Sequence, residues 1–196
     1  MEKDQMFSQM IQAALARLEG REPNKIARNA GIRYDGETQT FHISTMGLDV
    51  KVHYPDYGFS PALPGWHSLV ILHYLDLADG FPLTGKEIPF GQMRSGMVRG
   101  GGIDRKCELA IRNLKNLNEE TLANVCKNVC GEPIGSNADG AWRIPFLPQF
   151  PLTLKIWLPD EELPASGRLM VDESADHYLT IEDAVTVAEI ILEQLA

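Results

Sequence analysis

Two histidine–tyrosine pairs are the residues of this chain best suited to chemistry. His73-Tyr74 lies in a helix that we predict over 66–78, and His177-Tyr178 precedes the last predicted helix. Histidine gains or loses a proton near neutral pH, so it can act as an acid, a base or a metal ligand. His73 also lies on the apolar side of its helix, which is typical of a neutral core histidine. The tripeptide His-Tyr-Leu occurs at both places, but it is too short to indicate a duplication.

A metal site is one hypothesis that these histidines raise. Asp172 lies five residues before His177, and Asp176 directly precedes it. If His73 and His177 converge in space, they form with Asp172 a set of two histidines and one carboxylate that suits a divalent metal. The competing interpretation is that Asp172 and Asp176 form the hydrogen bonds of a turn before a helix. The spacing leaves both interpretations open.

A basic segment leads into a helix that we predict over 103–117. Arg94 and Arg99 belong to this cluster, which also contains Arg105, Lys106, Arg112 and Lys115. The run Arg99-Gly100-Gly101-Gly102 enters the helix directly, and backbone amides at a helix start can bind an anion. The run matches neither of the usual glycine-rich phosphate-binding patterns, and Asp104 in the first turn competes with an anion. A flexible hinge is therefore the favoured interpretation.

The three cysteines favour a structural role. Cys126 and Cys130 are four residues apart in a predicted helix over 119–130, so they face the same side. Cys107 lies in the preceding helix. Zinc and iron–sulfur sites generally use closer pairs and four ligands. A low, odd number of cysteines without an N-terminal signal segment indicates a reducing cytoplasm, and no apolar run is long enough for a membrane span.

The negative charge of the chain is concentrated at its C-terminal end. The formal net charge is −9, and residues 156–196 contain ten acidic side chains against one basic side chain, Arg168. Such a surface repels nucleic-acid phosphate, so we do not expect nucleic acid as a partner. The acidic residues Asp160, Glu161 and Glu162 suit a basic protein partner, so an acidic-faced protein-interaction module is one hypothesis for the function.

Hydrophobic periodicity predicts one domain over residues 1–196. In chain order the predicted parts are an N-terminal helix over 4–19, a short helix over 23–30, a meander of strands over 31–54, a helical middle over 66–130, and C-terminal strands and a helix over 141–196. Strands therefore cluster at both ends of the chain. This order predicts an α+β fold with a mostly antiparallel sheet and helices packed on one face and at the edges.

Local signals define two of these parts further. Met46-Gly47 suits a two-residue hairpin turn, because glycine tolerates a positive φ, and this turn pairs Ile43 with Val50. Thr180 followed by Asp183 resembles a capping box and begins the last helix.

Two segments of the chain resemble a family of small cytoplasmic proteins. They are Leu72-His73-Tyr74-Leu75 with the following Phe81-Pro82-Leu83-Thr84-Gly85, and a C-terminal run that contains Ile144-Pro145, Ile156-Trp157, Asp160-Glu161-Glu162 and His177-Tyr178-Leu179-Thr180. The resemblance extends from Arg33 to the C-terminus. The family is a domain of unknown function that occurs mostly in strict anaerobes and methanogens.

The resemblance implies candidate cofactors and no catalytic residues. Some relatives are fused to cysteine-rich segments of the iron–sulfur type, and others accompany corrinoid-dependent one-carbon metabolism. This chain departs from the fused form because it has three cysteines and no pair spaced by two residues, so we do not expect an iron–sulfur cluster. A corrinoid or a divalent metal remains a candidate.

Together these features predict an accessory or carrier protein of anaerobic metabolism that binds a small molecule or cofactor. We expect the site between helix 66–78, the unpatterned segment 79–102 and the segment 172–180, because long irregular connections are often functional. Its expected lining is His73, Tyr74, His177 and Tyr178, with Arg94 and Arg99 binding an anionic group such as a phosphate or a corrinoid side chain. The alternative is a metal-dependent enzyme that uses His73, His177 and Asp172. The sequence decides neither between enzyme and carrier nor the oligomeric state.

Overall fold

The structure, a computed structural model, describes residues 2–114 and 116–195. The helices are α1 (Glu2–Leu18), α2 (Pro23–Ala30), α3 (Gly65–Leu77), α4 (Gly96–Arg99), α5 (Gly101–Arg112), α6 (Glu119–Asn128) and α7 (Ile181–Glu193). The strands are β1 (Arg33–Asp35), β2 (Thr40–Thr45), β3 (Leu48–His53), β4 (Gly58–Ser60), β5 (Glu87–Ile88), β6 (Glu132–Pro133), β7 (Gly140–Leu147), β8 (Phe150–Trp157) and β9 (Ser166–Asp172). Single 3₁₀ turns occupy Phe90–Gln92 and Ala175–His177.

The strands form two antiparallel sheets, which confirms the predicted α+β class. One sheet has the order β1-β2-β3-β4 and the other has the order β5-β9-β8-β7-β6. The sheets meet where the amide of Met46, in the β2–β3 turn, donates a hydrogen bond of 3.1 Å to the carbonyl of Pro145 in β7. One continuous hydrophobic core includes side chains from both sheets and from the helices between them.

The first sheet contains the predicted meander over 31–54, with its hairpin, and extends it by one strand. Ile43 pairs with Val50, and Met46 and Gly47 both have a positive φ in the turn. No strand was predicted between the meander, which ends at 54, and the helical middle, which begins at 66, but Gly58–Ser60 adds β4 to the edge of this sheet. Three residues with two flanking turns are too short to show an alternating pattern, which explains why the strand was missed.

Helix α5 covers one face of the second sheet. On the covered face α5 packs against β9 so closely that a Cβ at Gly167 would lie 2.6 Å from the side chain of Ile111. On the opposite face Arg143 and Arg168 are exposed. The edge strands β5 and β6 contain two residues each and were not predicted, since their pairing depends on distant partners in β9 and β7.

Helix α3 lies at the centre of the molecule. It packs against α1, α2 and α7, and its buried side chains are Leu69, Val70, Ile71, Leu72, Tyr74 and Leu75. Burial on several sides explains why its apolar residues do not form one narrow stripe. Among the described residues, no helix has both the length and the apolar character needed to cross a membrane.

The basic glycine run has a packing role at its first glycine. A Cβ at Gly100 would lie 2.5 Å from the backbone of Phe90, whereas a Cβ at Gly101 would meet no atom within 4 Å. Close approach to Phe90 therefore requires a glycine at position 100 in this packing. Helix α5 begins at Gly101 and ends at Arg112, so it starts and ends earlier than the predicted 103–117.

We expect Gly100→Ala to lower the free energy of unfolding by about 1–3 kcal/mol, the usual cost of forcing extra atoms into a packed site. Gly101→Ala is the matched control, and there the helix propensity of alanine adds up to about 1 kcal/mol of stability. Urea denaturation of both variants measures the difference. Equal stabilities for the two variants would contradict the proposed packing role of Gly100.

Candidate functional site

Two hydrogen-bonded histidine–aspartate pairs connect the two His-Tyr-Leu segments. His73 Nδ1 lies 2.6 Å from Asp183 Oδ1, and His177 Nδ1 lies 2.7 Å from Asp79 Oδ2. In each segment the aspartate follows the histidine by six residues. The histidine of one segment therefore pairs with the aspartate of the other, and this reciprocal clasp joins α3 to the start of α7.

The tyrosines of these segments lie in the core. Tyr74 and Tyr178 stack with ring centroids 5.8 Å apart and are 0% and 1% exposed. The Tyr74 hydroxyl donates to the Ala30 carbonyl at 2.5 Å and accepts a bond from the Gln149 amide at 3.0 Å. The Tyr178 hydroxyl donates to the Phe81 carbonyl. The prediction that these tyrosines line a ligand site stays a prediction, and in this structure both rings are buried.

His177 is fixed at the surface by a ring and a carboxylate. Its ring stacks on Phe81 with centroids 4.0 Å apart. Burial raises the pKa of Asp79, but the hydrogen bonds from His177 and from the Phe81 amide outweigh it, so the pKa lies below its usual value. An ionised Asp79 thus holds the imidazole in one orientation.

The three predicted metal ligands form hydrogen bonds with different partners. Asp172 accepts bonds from Thr84 N and Oγ1, both at 3.0 Å, from Gly85 N at 2.7 Å and from Ser174 N at 2.9 Å. His73 and His177 bind different aspartates, as described above. Among the described residues, no group of three histidine, cysteine, aspartate or glutamate side chains is arranged to hold a metal ion. The geometry therefore does not assemble the set of His73, His177 and Asp172.

The basic segment and the acidic C-terminal part of the chain contact each other. Arg99 Nε lies 3.3 Å from Glu182 Oε1, Lys106 pairs with Glu189, and Lys86 lies 2.5 Å from Glu173. The amide of Arg94 donates to the Asp176 carboxylate. These contacts join the predicted anion-binding segment to carboxylates of the same chain, and they pair the charges of Arg99 and Lys106.

The cysteines occupy different environments. Cys107 is fully buried, and burial raises the pKa of its thiol to about 12, which suits the predicted structural role. Cys130 is exposed, and its thiol donates to the Met46 carbonyl at 3.1 Å. The side chain of Cys126 lies outside the described part of the chain, and so does Lys115 of the basic cluster.

An open cleft of about 530 Å³ lies on another side of α3. We call it the Trp66 cleft. Its walls are the β2–β3 turn, the first residues of α3, the end of α6 and one face of α7; the lining residues are Thr45, Met46, Leu48, Pro64, Trp66, His67, Asn128, Thr186, Glu189, Ile190, Glu193 and Gln194. Neither His73 nor His177 lines it.

Aromatic contacts hold in place the wall of the Trp66 cleft that the start of α3 forms. Trp66 is 51% exposed, and Phe7 from α1 meets its ring edge to face at 5.1 Å. His67 stacks on Phe146 and shares a hydrogen bond of 2.8 Å between Nε2 and Thr45 Oγ1. Burial lowers the pKa of His67, so the imidazole is neutral at pH 7.

A smaller pocket of about 290 Å³ adjoins the cleft and shares Trp66 and Thr186 with it. Its lining includes Arg99, Glu182 and Asp183. Of the residues that the sequence interpretation placed in a ligand site, Arg99 is the one found in this region. Trp66 and His67 were not proposed, although an adjacent tryptophan and histidine at the start of a helix are the signal that a search for aromatic sites would use.

The fold and the cleft define an α+β protein with two antiparallel sheets and an open cleft that Trp66 lines. A scan against protein families matches residues 22–194 to a domain of unknown function, DUF3786. This match covers most of the chain, so the chain belongs to that family. Comparison with curated proteins and with solved structures gave no match.

Proposed function

We propose that the protein binds a small organic molecule in the Trp66 cleft and acts as a carrier or accessory protein for it. The observation that carries this proposal is the cleft of about 530 Å³ with a half-exposed tryptophan on one wall. Ligand pockets usually enclose about 300–1,000 Å³ and combine an apolar lining with a few polar groups. Met46, Leu48 and Ile190 supply apolar lining here, and Asn128 and Gln194 supply amides.

The chemistry of the lining favours binding over catalysis. A nucleophile and a base within hydrogen-bond distance would be the usual sign of covalent catalysis, and Thr45 with His67 is the pair of this kind in the cleft. Thr45 is 1% exposed, so it adds almost no surface to the cleft that it lines. The hydrogen bond instead fixes the imidazole as part of the wall.

A place in cytoplasmic, anaerobic metabolism belongs to the same proposal and is supported by the sequence resemblance. A corrinoid itself does not fit the Trp66 cleft. In the described lining His67 Nε2 is hydrogen-bonded to Thr45 Oγ1, so this nitrogen is not free to bind cobalt, and Glu193, which no described cation pairs, repels a phosphate group. We therefore assign the cleft to a small organic molecule other than a corrinoid.

Fragment screening by NMR tests the proposal. The library contains equal numbers of cationic, neutral and anionic fragments, and the indole Nε1–H signal of Trp66 reports binding. We expect hits that shift this signal, and we expect Thr186→Phe to weaken them by about tenfold or more, or 1.4 kcal/mol, because the added ring fills the cleft. Thr38→Phe is the matched control in an exposed turn. A library without hits at Trp66, or hits that Thr186→Phe leaves unchanged, would overturn the proposal.

A further inference from the structure

We infer that the molecule bound in the Trp66 cleft is cationic: an organic amine or quaternary ammonium compound with a small apolar body. This inference rests on the proposed function and specifies its ligand class. It is carried by the cavity, by the aromatic surface that Trp66 contributes and by the charges that α7 contributes.

The aromatic wall offers a surface that attracts cations. The face of an indole ring carries partial negative charge, and tryptophan is the best of the aromatic side chains at binding ammonium groups. Trp66 is half exposed, lines both the cleft and the adjoining pocket, and is held by Phe7. A ligand therefore meets a preorganised ring, which reduces the entropy lost on binding.

The wall that α7 contributes is negatively charged. Glu189 and Glu193 lie one helical turn apart on α7 and both line the cleft. Glu189 is paired with Lys106, whereas no contact within the described residues pairs Glu193 with a cation. No lysine or arginine lines the cleft within the described part of the chain, and His67 is neutral at pH 7. An ammonium group is attracted into this cavity, and a carboxylate or phosphate is repelled.

The position of Glu193 is unfavourable for the helix itself. Like charges four residues apart on a helix repel each other, and a negative charge in the last turn opposes the helix dipole. Glu193 is repelled by Glu189, which it follows by four residues, and it opposes the helix dipole because it is the last residue of α7. Residues that break local rules of stability often serve function. A bound cation would relieve both repulsions at once.

Three probes of nearly equal shape and different charge test the inference: choline, 3,3-dimethyl-1-butanol and 3,3-dimethylbutanoate. Calorimetry and the Trp66 indole signal measure their binding to the whole chain. We expect choline to bind about tenfold more tightly than the neutral alcohol, the effect of one favourable ion contact with cation–π attraction, and we expect no binding of the carboxylate. Equal or tighter binding of the neutral or anionic probe would overturn the inference.

Single substitutions test which residues of the cleft cause its preference for a cation. Glu193→Gln should lower the affinity for choline about fivefold, because it removes a partly screened charge contact. The affinity for the neutral alcohol should stay the same. The midpoint of thermal unfolding should not fall, since the substitution removes a repulsion. Trp66→Leu should weaken choline more than Trp66→Phe does. Glu161→Gln, in an exposed turn, is the matched control and should change nothing. Unchanged choline affinity in Glu193→Gln would contradict the inference.

The failure of this inference is distinguishable from failure of the proposed function. Fragments that bind at Trp66 but are neutral or anionic overturn the cationic ligand and leave the binding function standing. The absence of any fragment or probe at Trp66 overturns both.

Discussion

Asp183→Ala is expected to lower the free energy of unfolding by about 3 kcal/mol. Asp183 is 6% exposed and bonds to His73 Nδ1 through Oδ1, while Oδ2 accepts from Thr180 Oγ1 at 2.7 Å. Loss of a helix cap costs about 1 kcal/mol, and loss of a hydrogen bond to a charged group costs about 1.5–3 kcal/mol. Both losses occur here because one carboxylate caps α7 and joins it to α3.

Glu182→Ala is the control for this result. Glu182 precedes Asp183 in the same helical turn, and its partner Arg99 is exposed, as it is itself. Exposed ion pairs contribute about 0–1 kcal/mol, so this variant should unfold close to the parent. Urea denaturation measures the free energy of unfolding of both variants, provided that its slope against urea concentration does not change. A loss below about 1 kcal/mol in Asp183→Ala would show that the reciprocal clasp does not stabilise the fold.

Tyr74→Phe is expected to cost about 3 kcal/mol, although it removes a single oxygen atom. The hydroxyl is donor to the Ala30 carbonyl and acceptor from the Gln149 amide. Each buried polar group that loses its partner costs about 1–3 kcal/mol. Ala30 ends α2 and Gln149 lies between β7 and β8, so the oxygen connects the N-terminal helices to the second sheet through α3.

Two further tyrosines test this explanation. Tyr34→Phe should change stability by less than about 0.5 kcal/mol, because within the described residues its hydroxyl makes no hydrogen bond. Tyr178→Phe removes one hydrogen bond, to the Phe81 carbonyl. Its loss of stability should therefore lie between those of Tyr34→Phe and Tyr74→Phe. A loss in Tyr74→Phe no larger than in Tyr34→Phe would contradict the bridging role of the Tyr74 hydroxyl.

Features that depend on neighbouring residues could be predicted from the sequence. Helix α2 begins at Pro23, and Gly31 ends it in the left-handed conformation that glycine tolerates. The capping boxes of Asn118 and Thr180 begin α6 and α7. The β2–β3 register was also predictable, because a two-residue turn and an alternating pattern leave one register that buries Ile43 and Val50.

Short strands and contacts between distant residues could not be predicted in the same way. Glu87–Ile88 is a strand because it pairs with the end of β9, and two residues carry no periodic signal. The sequence drew attention to His73 and His177, but their partners are 110 and 98 residues away. A pairing at that distance depends on how α3 packs against α7, which no local pattern encodes.

By itself the sequence determined the α+β class, most helices and the long strands, because hydrophobic periodicity and capping act within a few residues. The tertiary structure alone decided the site. It buried Tyr74 and Tyr178 in the core, paired Arg99 and Lys106 with C-terminal carboxylates, and brought Trp66, Glu189 and Glu193 into the lining of one cleft. The physical reason is that a cavity exists only between packed elements, so its lining is set by the packing of α3, α7 and the β2–β3 turn.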